Sequence, residues 1–317
     1  MEKNKALLEL NQQKIQELSA VTSTASNDTT PDVLIRIGHG LYSDKPTLRT
    51  KGVTWSTEEY SHPGLQRMYL TLKSIQRFTE TWALLERSAA IGVFDDHLLR
   101  CNDDSNIQMG KKNVIRIAAV GGGPGYELLA TRLFFRQRAP EVQLELICMD
   151  LCEAWRPYAE LLGFTFIHYN INNGNLLDAI GLSPGQLHYC IVSCVMIYVT
   201  NDRTLDMFHK LIHEDRVHAI LMSERGEKTD ACSMMEDRGG VVIRLIDPTP
   251  GRDERQSVMC ASDVRDTYLH ETSGDYRKRY NDLTFPNVPY EEFKTGGASW
   301  RAQSHRPKKS YTMAWRK

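Results

Sequence analysis

Residues 114–138 combine three features that together limit the folds open to this chain. The apolar run VIRIAAV leads into a glycine-rich corner, GGGPG, and the helix-forming segment YELLATRLFFRQR follows at once. Glycine adopts positive φ without steric cost and leaves no Cβ between the backbone and a ligand. A strand, a glycine corner and a helix in this order predict a ligand site at the carboxyl end of the strand. The alternative interpretation is a tight turn that only packs the helix on the strand.

Strand and helix patterns alternate from residue 113 onward. Apolar runs rich in β-branched residues recur at 143–150, 164–171, 188–199 and 217–224, with helical segments between them. Such runs are typical of parallel strands that helices cover on both faces. The pattern therefore predicts the α/β class, with a doubly wound and mostly parallel sheet.

The chain divides into three predicted regions. Residues 1–30 are expected to form a mobile N-terminal tail. Residues 31–112 are expected to be a helical region that is a possible lid, because apolar residues recur at helical steps between residues 61 and 89. Residues 113–317 form the predicted core, with an irregular, polar insertion around 247–309.

Composition excludes several classes of protein. A net charge of −1 argues against a protein that coats nucleic acid by bulk attraction. No apolar run reaches the length of a membrane span, and the N-terminus lacks a secretory pattern. The seven cysteines include no C-x-x-C pair. We therefore expect an intracellular protein, cytoplasmic or nuclear, with no membrane segment and no metal. Cys148 and Cys190 are expected to pack as small apolar residues in buried strands.

The spacing of the glycines decides between two cofactors. Gly121, Gly123 and Gly125 spell G-x-G-x-G, whereas the dinucleotide pattern G-x-G-x-x-G needs a glycine where Tyr126 stands. Here the chain resembles the class I S-adenosylmethionine-dependent methyltransferases over residues 113–224 and a closing strand, SYTMAWRK. The resemblance implies a seven-stranded sheet of that type and S-adenosyl-L-methionine as cofactor.

The resemblance also implies which residues hold the cofactor. The glycine corner, including Gly122, lies against its methionine half, and Asp150, at the end of the second strand, accepts from the two ribose hydroxyls. Leu151 is expected against the adenine. Asn170, after the third strand, is expected near the adenine amino group, with a strand-end cap as the alternative for this residue.

The resemblance also implies which residues lie at the methionine end of the cofactor. Ser193 and Cys194 end the fourth strand and are expected beside the sulfonium. Many members of the family carry an acid two residues before the first glycine, where this chain has Ala119. Glu127 in the next helix is the candidate to bind the methionine amino group instead, and its alternative role is to favour the helix dipole.

The acceptor of the methyl group does not follow from these motifs. The base-methylating members carry a Pro-Pro motif after the fourth strand, and this chain has SCVMIYVTN there. Tyr198 and Glu224 are the catalytic candidates, and a structural role is the alternative for each. The basic and aromatic segment 300–317 is a candidate RNA surface, or else a solvated basic edge.

Three functions remain open on the sequence. The first is methyl transfer to RNA, protein or a small molecule. The second is a catalytically inactive sensor or partner subunit that binds S-adenosylmethionine, and the third is a NAD-dependent oxidoreductase. The sequence gives no indication of oligomeric state.

Overall fold

A computed structural model describes four stretches of the chain, residues 31–94, 114–225, 231–245 and 254–260. The expected N-terminal tail, the closing strand SYTMAWRK and the basic C-terminal segment lie outside the described residues. Within the described stretches, none of the helices combines the length and the apolar character that a bilayer crossing needs.

The region before the sheet is built from helices that begin at prolines or at a side-chain cap. Proline suits the first helical position because its missing N–H would be unpaired there. Ser56 and Glu59 form a reciprocal capping box, and His62 accepts from the backbone N–H of Gly64. The helices in this region are α1 (Pro31–Asp44), α2 (Pro46–Lys51), α3 (Thr57–Ser61) and α4 (Pro63–Ala90).

Helices α1 and α4 cross with a glycine on each side of the contact. A Cβ built on Gly38 would lie 2.0 Å from the carbonyl carbon of Gly64. The two backbones therefore touch, and only the absence of both side chains permits this approach.

Strands and helices alternate in the rest of the described chain, as the sequence predicts. In chain order they are β1 (Val114–Val120), α5 (Tyr126–Arg138), β2 (Gln143–Asp150), α6 (Arg156–Leu161), β3 (Thr165–His168), α7 (Leu176–Ile180), β4 (Tyr189–Ser193), α8 (Arg203–His213), β5 (Ala219–Arg225), α9 (Ala231–Glu236), β6 (Val241–Arg244) and β7 (Glu254–Cys260).

The sheet has the order β3-β2-β1-β4-β5-β7-β6. Strands β1 to β5 are parallel, and β7 pairs antiparallel with both β5 and β6. The predicted α/β class with a parallel sheet is confirmed. From β1 the chain winds outward through β2 to β3 and then returns to β4 on the other side of β1. Ligands bind at the carboxyl ends of the strands beside such a reversal.

Both faces of the sheet are covered by helices. Ile115 and Ile117 of β1 pack in one core cluster with Phe134 of α5, while Ala118 and Val120 pack in a second cluster on the opposite face, which includes side chains of α8. The alternation follows from strand geometry, since successive side chains point to opposite faces. Cys148 and Cys190 are fully buried in these clusters, as predicted.

One predicted boundary is wrong. The fourth strand ends at Ser193 and not at residue 199, because Cys194 takes a positive φ of 54° that ends the extended backbone. Strand β7 lies within the segment 247–309, where the sequence predicts an irregular insertion, and the other residues of that segment are outside the described stretches. The sequence of β7, ERQSVMC, begins with three polar residues, so it lacks the apolar run that predicts a buried strand.

Candidate functional site

The glycine corner after β1 has the backbone conformation that the sequence predicts. Gly121 and Gly123 have φ of 67° and 50°, a region that side-chain-bearing residues rarely adopt. A Cβ on Gly121 would lie 2.0 Å from Cγ2 of Val195, so the turn is packed tightly against the segment after β4. A Cβ on Gly123 would meet no protein atom within 4 Å. Protein atoms therefore fill the space beside Gly121, whereas the space beside Gly123 is open to a ligand.

Asp150 is held by the backbone on both sides. Its Oδ2 accepts from the N–H of Gly123 and its Oδ1 accepts from the N–H of Cys152, each at 2.8 Å. Burial raises the pKa of Asp150 to about 6, against the lowering effect of these two hydrogen bonds. A carboxylate offers about four acceptor positions. Two of them are left for a ligand.

A cavity of about 410 Å³ opens at the carboxyl ends of β1, β2 and β4. Its volume falls within the roughly 300–1,000 Å³ of small-molecule sites. The predicted cofactor residues that line it are Gly121, Gly123, Asp150, Leu151, Asn170, Ser193 and Cys194. The catalytic candidates Tyr198 and Glu224 line it as well.

Three predicted cofactor residues are not among the described residues that line the cavity. Gly122 lies underneath, where a Cβ would be 2.9 Å from Sγ of Cys148. Gly125 caps the start of α5 and faces the ring of Phe164. Glu127 is buried in the first turn of α5. These positions shape the corner from behind the cavity wall.

Charged residues around the cavity nevertheless shift the pKa of Glu127. Burial raises its pKa to about 7, while the charge of Arg77 lowers it and those of Glu80 and Asp150 raise it. A buried carboxyl group with a pKa near neutrality ionises readily when a cation arrives.

The residues predicted against the adenine lie on the β2 and β3 side of the cavity. Leu151 is 42% exposed, so its side chain is available to an apolar ligand surface. Asn170 accepts from the backbone N–H of Asn172 at 3.0 Å and so caps the following turn, which is the alternative role foreseen for it. Its amide still lines the cavity.

Glu224 holds the loop after β4. Its Oε1 accepts from the backbone N–H groups of Val195 and Met196, at 2.7 and 3.0 Å. These contacts support the structural role that was the alternative for this residue. They also fix Val195 against Gly121, so the two sides of the cavity floor are tied together.

Tyr198 joins the loop after β4 to the N-terminal region. Its hydroxyl accepts from the backbone N–H of Trp55 and lies 3.3 Å from the hydroxyl of Tyr60. Burial is the main cause that raises the pKa of Tyr60 well above its usual value, so that phenol stays protonated.

The sequence reasoning missed one wall of the cavity. This wall comes from the N-terminal region and consists mainly of residues 53–58 together with Tyr60, Tyr69, Lys73 and Arg77. Tyr69, Lys73 and Arg77 are spaced four apart and thus share one face of α4. Their four-residue spacing is the sequence signal for this face, but the apolar periodicity of the same helix is more evident.

Arg77 connects this wall to the segment that follows β4. Its Nη1 donates to Sγ of Cys194 at 2.8 Å and to Oε2 of Glu80 at 2.9 Å. Arg77 and Lys73 are only 6% and 4% exposed. In the described stretches, no group of three or more His, Cys, Asp or Glu side chains is arranged to hold a metal ion.

No family model matches this chain, and no curated protein matches it. Among solved structures, those that it resembles include class I S-adenosylmethionine-dependent methyltransferases. The DszA carbon methyltransferase is 14% identical with a TM-score of 0.42, over 79% of this chain and 69% of that one. The CurJ carbon methyltransferase is 14% identical with a TM-score of 0.37, over 78% of each chain.

A third likeness is to the Mtq2–Trm112 complex of E. cuniculi, which methylates the eRF1 translation termination factor. It is 11% identical with a TM-score of 0.31, over 53% of this chain and 92% of that one. The structures to which the chain is similar are thus a set of methyltransferases.

Proposed function

We propose that the chain is an S-adenosylmethionine-dependent methyltransferase of the class I type, acting on RNA, a protein or a small molecule. The observation that carries the proposal is the pair formed by Gly123 and Asp150 at the edge of the cavity. It joins an open backbone corner to a carboxylate with unused acceptor positions. The mostly parallel sheet with its reversal between β1 and β4 supports the same assignment.

The nucleoside half of the cofactor fits the residues on the β2 and β3 side. Asp150 accepts from the two ribose hydroxyls, and its negative charge disfavours a 2′-phosphate at the same place. Leu151 covers one face of the adenine. The Asn170 amide binds the adenine edge, in addition to capping its own turn.

The reacting end of the cofactor lies near Ser193 and Cys194, at the end of β4. Bound there, S-adenosylmethionine supplies a methyl group on a sulfonium. The protein's part is to hold the donor and the acceptor in line, and positioning of this kind accounts for much of the rate of such a displacement. Residues 53–58 line the cavity from the N-terminal region, which supports the interpretation of that region as a lid that excludes water.

The first experiment is calorimetric titration with S-adenosylmethionine, S-adenosylhomocysteine and NAD. Wild type is compared with Asp150→Ala and with Asp178→Ala, a control acid that is exposed on α7. We expect both sulfur ligands to bind wild type, at least about tenfold more weakly to Asp150→Ala, or about 1.4 kcal/mol, and unchanged to Asp178→Ala. Binding of neither sulfur ligand to the folded wild type would refute the cofactor assignment, and binding of NAD in their place would favour an oxidoreductase.

Turnover separates an enzyme from a binding subunit. Conversion of S-adenosylmethionine to S-adenosylhomocysteine is followed with RNA, protein and small-molecule acceptors in turn. Acceptor-dependent turnover supports the proposal. Tight cofactor binding without turnover on any acceptor class would favour the sensor or partner subunit.

A further inference from the structure

Arg77 is a buried cation of the N-terminal region, and it lines the cavity. Helix α4 carries it, and its guanidinium reaches Cys194 directly after β4. Lys73 lies one turn earlier and also lines the cavity. Arg77 forms an ion pair with Glu80, with 2.9 Å between Nη1 and Oε2. A positively charged cavity wall attracts an anionic group on a ligand.

The sheet order fixes where Arg77 lies relative to the nucleoside half of the site. Strand β4 flanks β1 on the side away from β2 and β3. Asp150 ends β2, whereas Arg77 is in contact with the residue that follows β4. A ligand that is anchored on Asp150 and crosses the corner at Gly121 therefore has its far end at Arg77.

The far end of the cofactor is an α-amino acid group, which carries a carboxylate and an ammonium on one carbon. A guanidinium binds a carboxylate through two parallel hydrogen bonds. The cation that lines this end of the cavity therefore suits the carboxylate of such a group.

We propose that Arg77 binds the carboxylate of the methionine half of the cofactor, so that helix α4 completes the cofactor site. This inference rests on the proposed function. Helix α4 would then recognise the amino acid group of the cofactor. Many members of the family use an acid near the end of the first strand for this group, and this chain has Ala119 there. Lys73 adds positive charge to the same wall.

The test compares two ligands that share the nucleoside half. S-adenosylhomocysteine carries the amino acid group, and 5′-methylthioadenosine lacks it. Both are titrated into wild type, Arg77→Met and Arg132→Met. Arg132 is the matched control, because it lies on α5 with its guanidinium over the ring of Phe164 and is not among the residues that line the cavity.

We expect Arg77→Met to bind S-adenosylhomocysteine at least tenfold more weakly and 5′-methylthioadenosine within twofold of wild type. Arg132→Met should bind both ligands as wild type does. An equal loss for both ligands in Arg77→Met would overturn the inference, because Arg77 would then only support the wall. No loss for either ligand would overturn it as well.

A second measurement uses wild type alone and does not depend on the folding of a variant. Decarboxylated S-adenosylhomocysteine keeps the ammonium and lacks the carboxylate. We expect it to bind wild type at least tenfold more weakly than S-adenosylhomocysteine, and equal affinity would refute the carboxylate contact. If wild type binds neither S-adenosylhomocysteine nor 5′-methylthioadenosine, the proposed function fails, whereas binding of both without discrimination at Arg77 refutes only this inference.

Discussion

The backbone N–H of Gly123 donates to Oδ2 of Asp150 at 2.8 Å, and this bond joins the corner after β1 to the acid that ends β2. The register of the two strands makes it possible, since Val120 is paired with Met149 and Asp150 is the next residue. The carboxylate is thereby fixed before any ligand arrives. Its orientation is set by the sheet and not by the ligand.

The raised pKa of Asp150 predicts a pH dependence of nucleoside binding. Asp150 has a pKa of about 6, so the group loses its charge as the pH falls through that value. Ribose hydroxyls need the ionised carboxylate as acceptor, and affinity is therefore lost toward acid pH. We expect 5′-methylthioadenosine to bind about tenfold more weakly at pH 5 than at pH 7, as measured by calorimetry.

Asp150→Asn is the control for this pH dependence. Its amide does not titrate, so affinity should be weaker than that of wild type and flat over the same range. His168 is near enough that its charge lowers the pKa of Asp150. A pH profile that survives in Asp150→Asn would assign the titration to a group other than Asp150 and contradict the prediction.

Alanine variants of Gly123 and Gly181 distinguish backbone strain from the loss of a ligand contact, because the two glycines have similar backbones. Gly123 and Gly181 both have positive φ, and a Cβ on either would meet no protein atom within 4 Å. Alanine at either position should cost about 1 kcal/mol of unfolding free energy in urea denaturation, because the left-handed backbone is unfavourable for L-residues. Only Gly123→Ala should also weaken S-adenosylhomocysteine, by at least about tenfold.

Gly181→Ala serves as the stability control, since Gly181 caps α7 at a position that is not among those lining the cavity. Equal affinities of the two variants for S-adenosylhomocysteine would show that the open side of Gly123 does not face the ligand. The placement of the methionine half would then be wrong.

The sequence predicts the part of the site that local chemistry dictates. The glycines and Asp150 were predictable because a positive-φ corner and a strand-end acid each leave a pattern of their own in the sequence. Arg77 and Tyr69 were not, because their role depends on how α4 lies across the sheet, which is a tertiary contact. The end of β4 was missed for a similar reason, since Glu224, which is remote in the sequence, holds the bent backbone from the neighbouring strand β5.

The crossing of α1 and α4 predicts opposite effects for two glycines in one helix. Gly38 touches the backbone of Gly64, whereas a Cβ on Gly40 would meet nothing within 4 Å. We expect Gly38→Ala to lower the free energy of unfolding by about 1–3 kcal/mol through overpacking. Gly40→Ala should raise it by up to about 1 kcal/mol, because alanine favours the helix. Urea denaturation measures both, and similar values for the two variants would contradict the close crossing.

Glu224 provides a test of structural against catalytic roles. Glu224→Ala removes the acceptor of two buried N–H groups, and we expect it to cost about 3 kcal/mol of unfolding free energy, since each unsatisfied group costs about 1–3 kcal/mol. Glu224→Gln keeps an oxygen that accepts from both groups. Its loss should be clearly smaller, and S-adenosylhomocysteine should bind it nearly as well as wild type.

Turnover of Glu224→Gln then decides the role of the side chain. If Glu224 only holds Val195 and Met196 in place, the glutamine variant keeps most of its activity once an acceptor is known. A general base cannot be replaced by an amide, because glutamine does not take up a proton. A folded Glu224→Gln protein that binds the cofactor normally and transfers no methyl group would therefore make Glu224 the base and contradict the structural role.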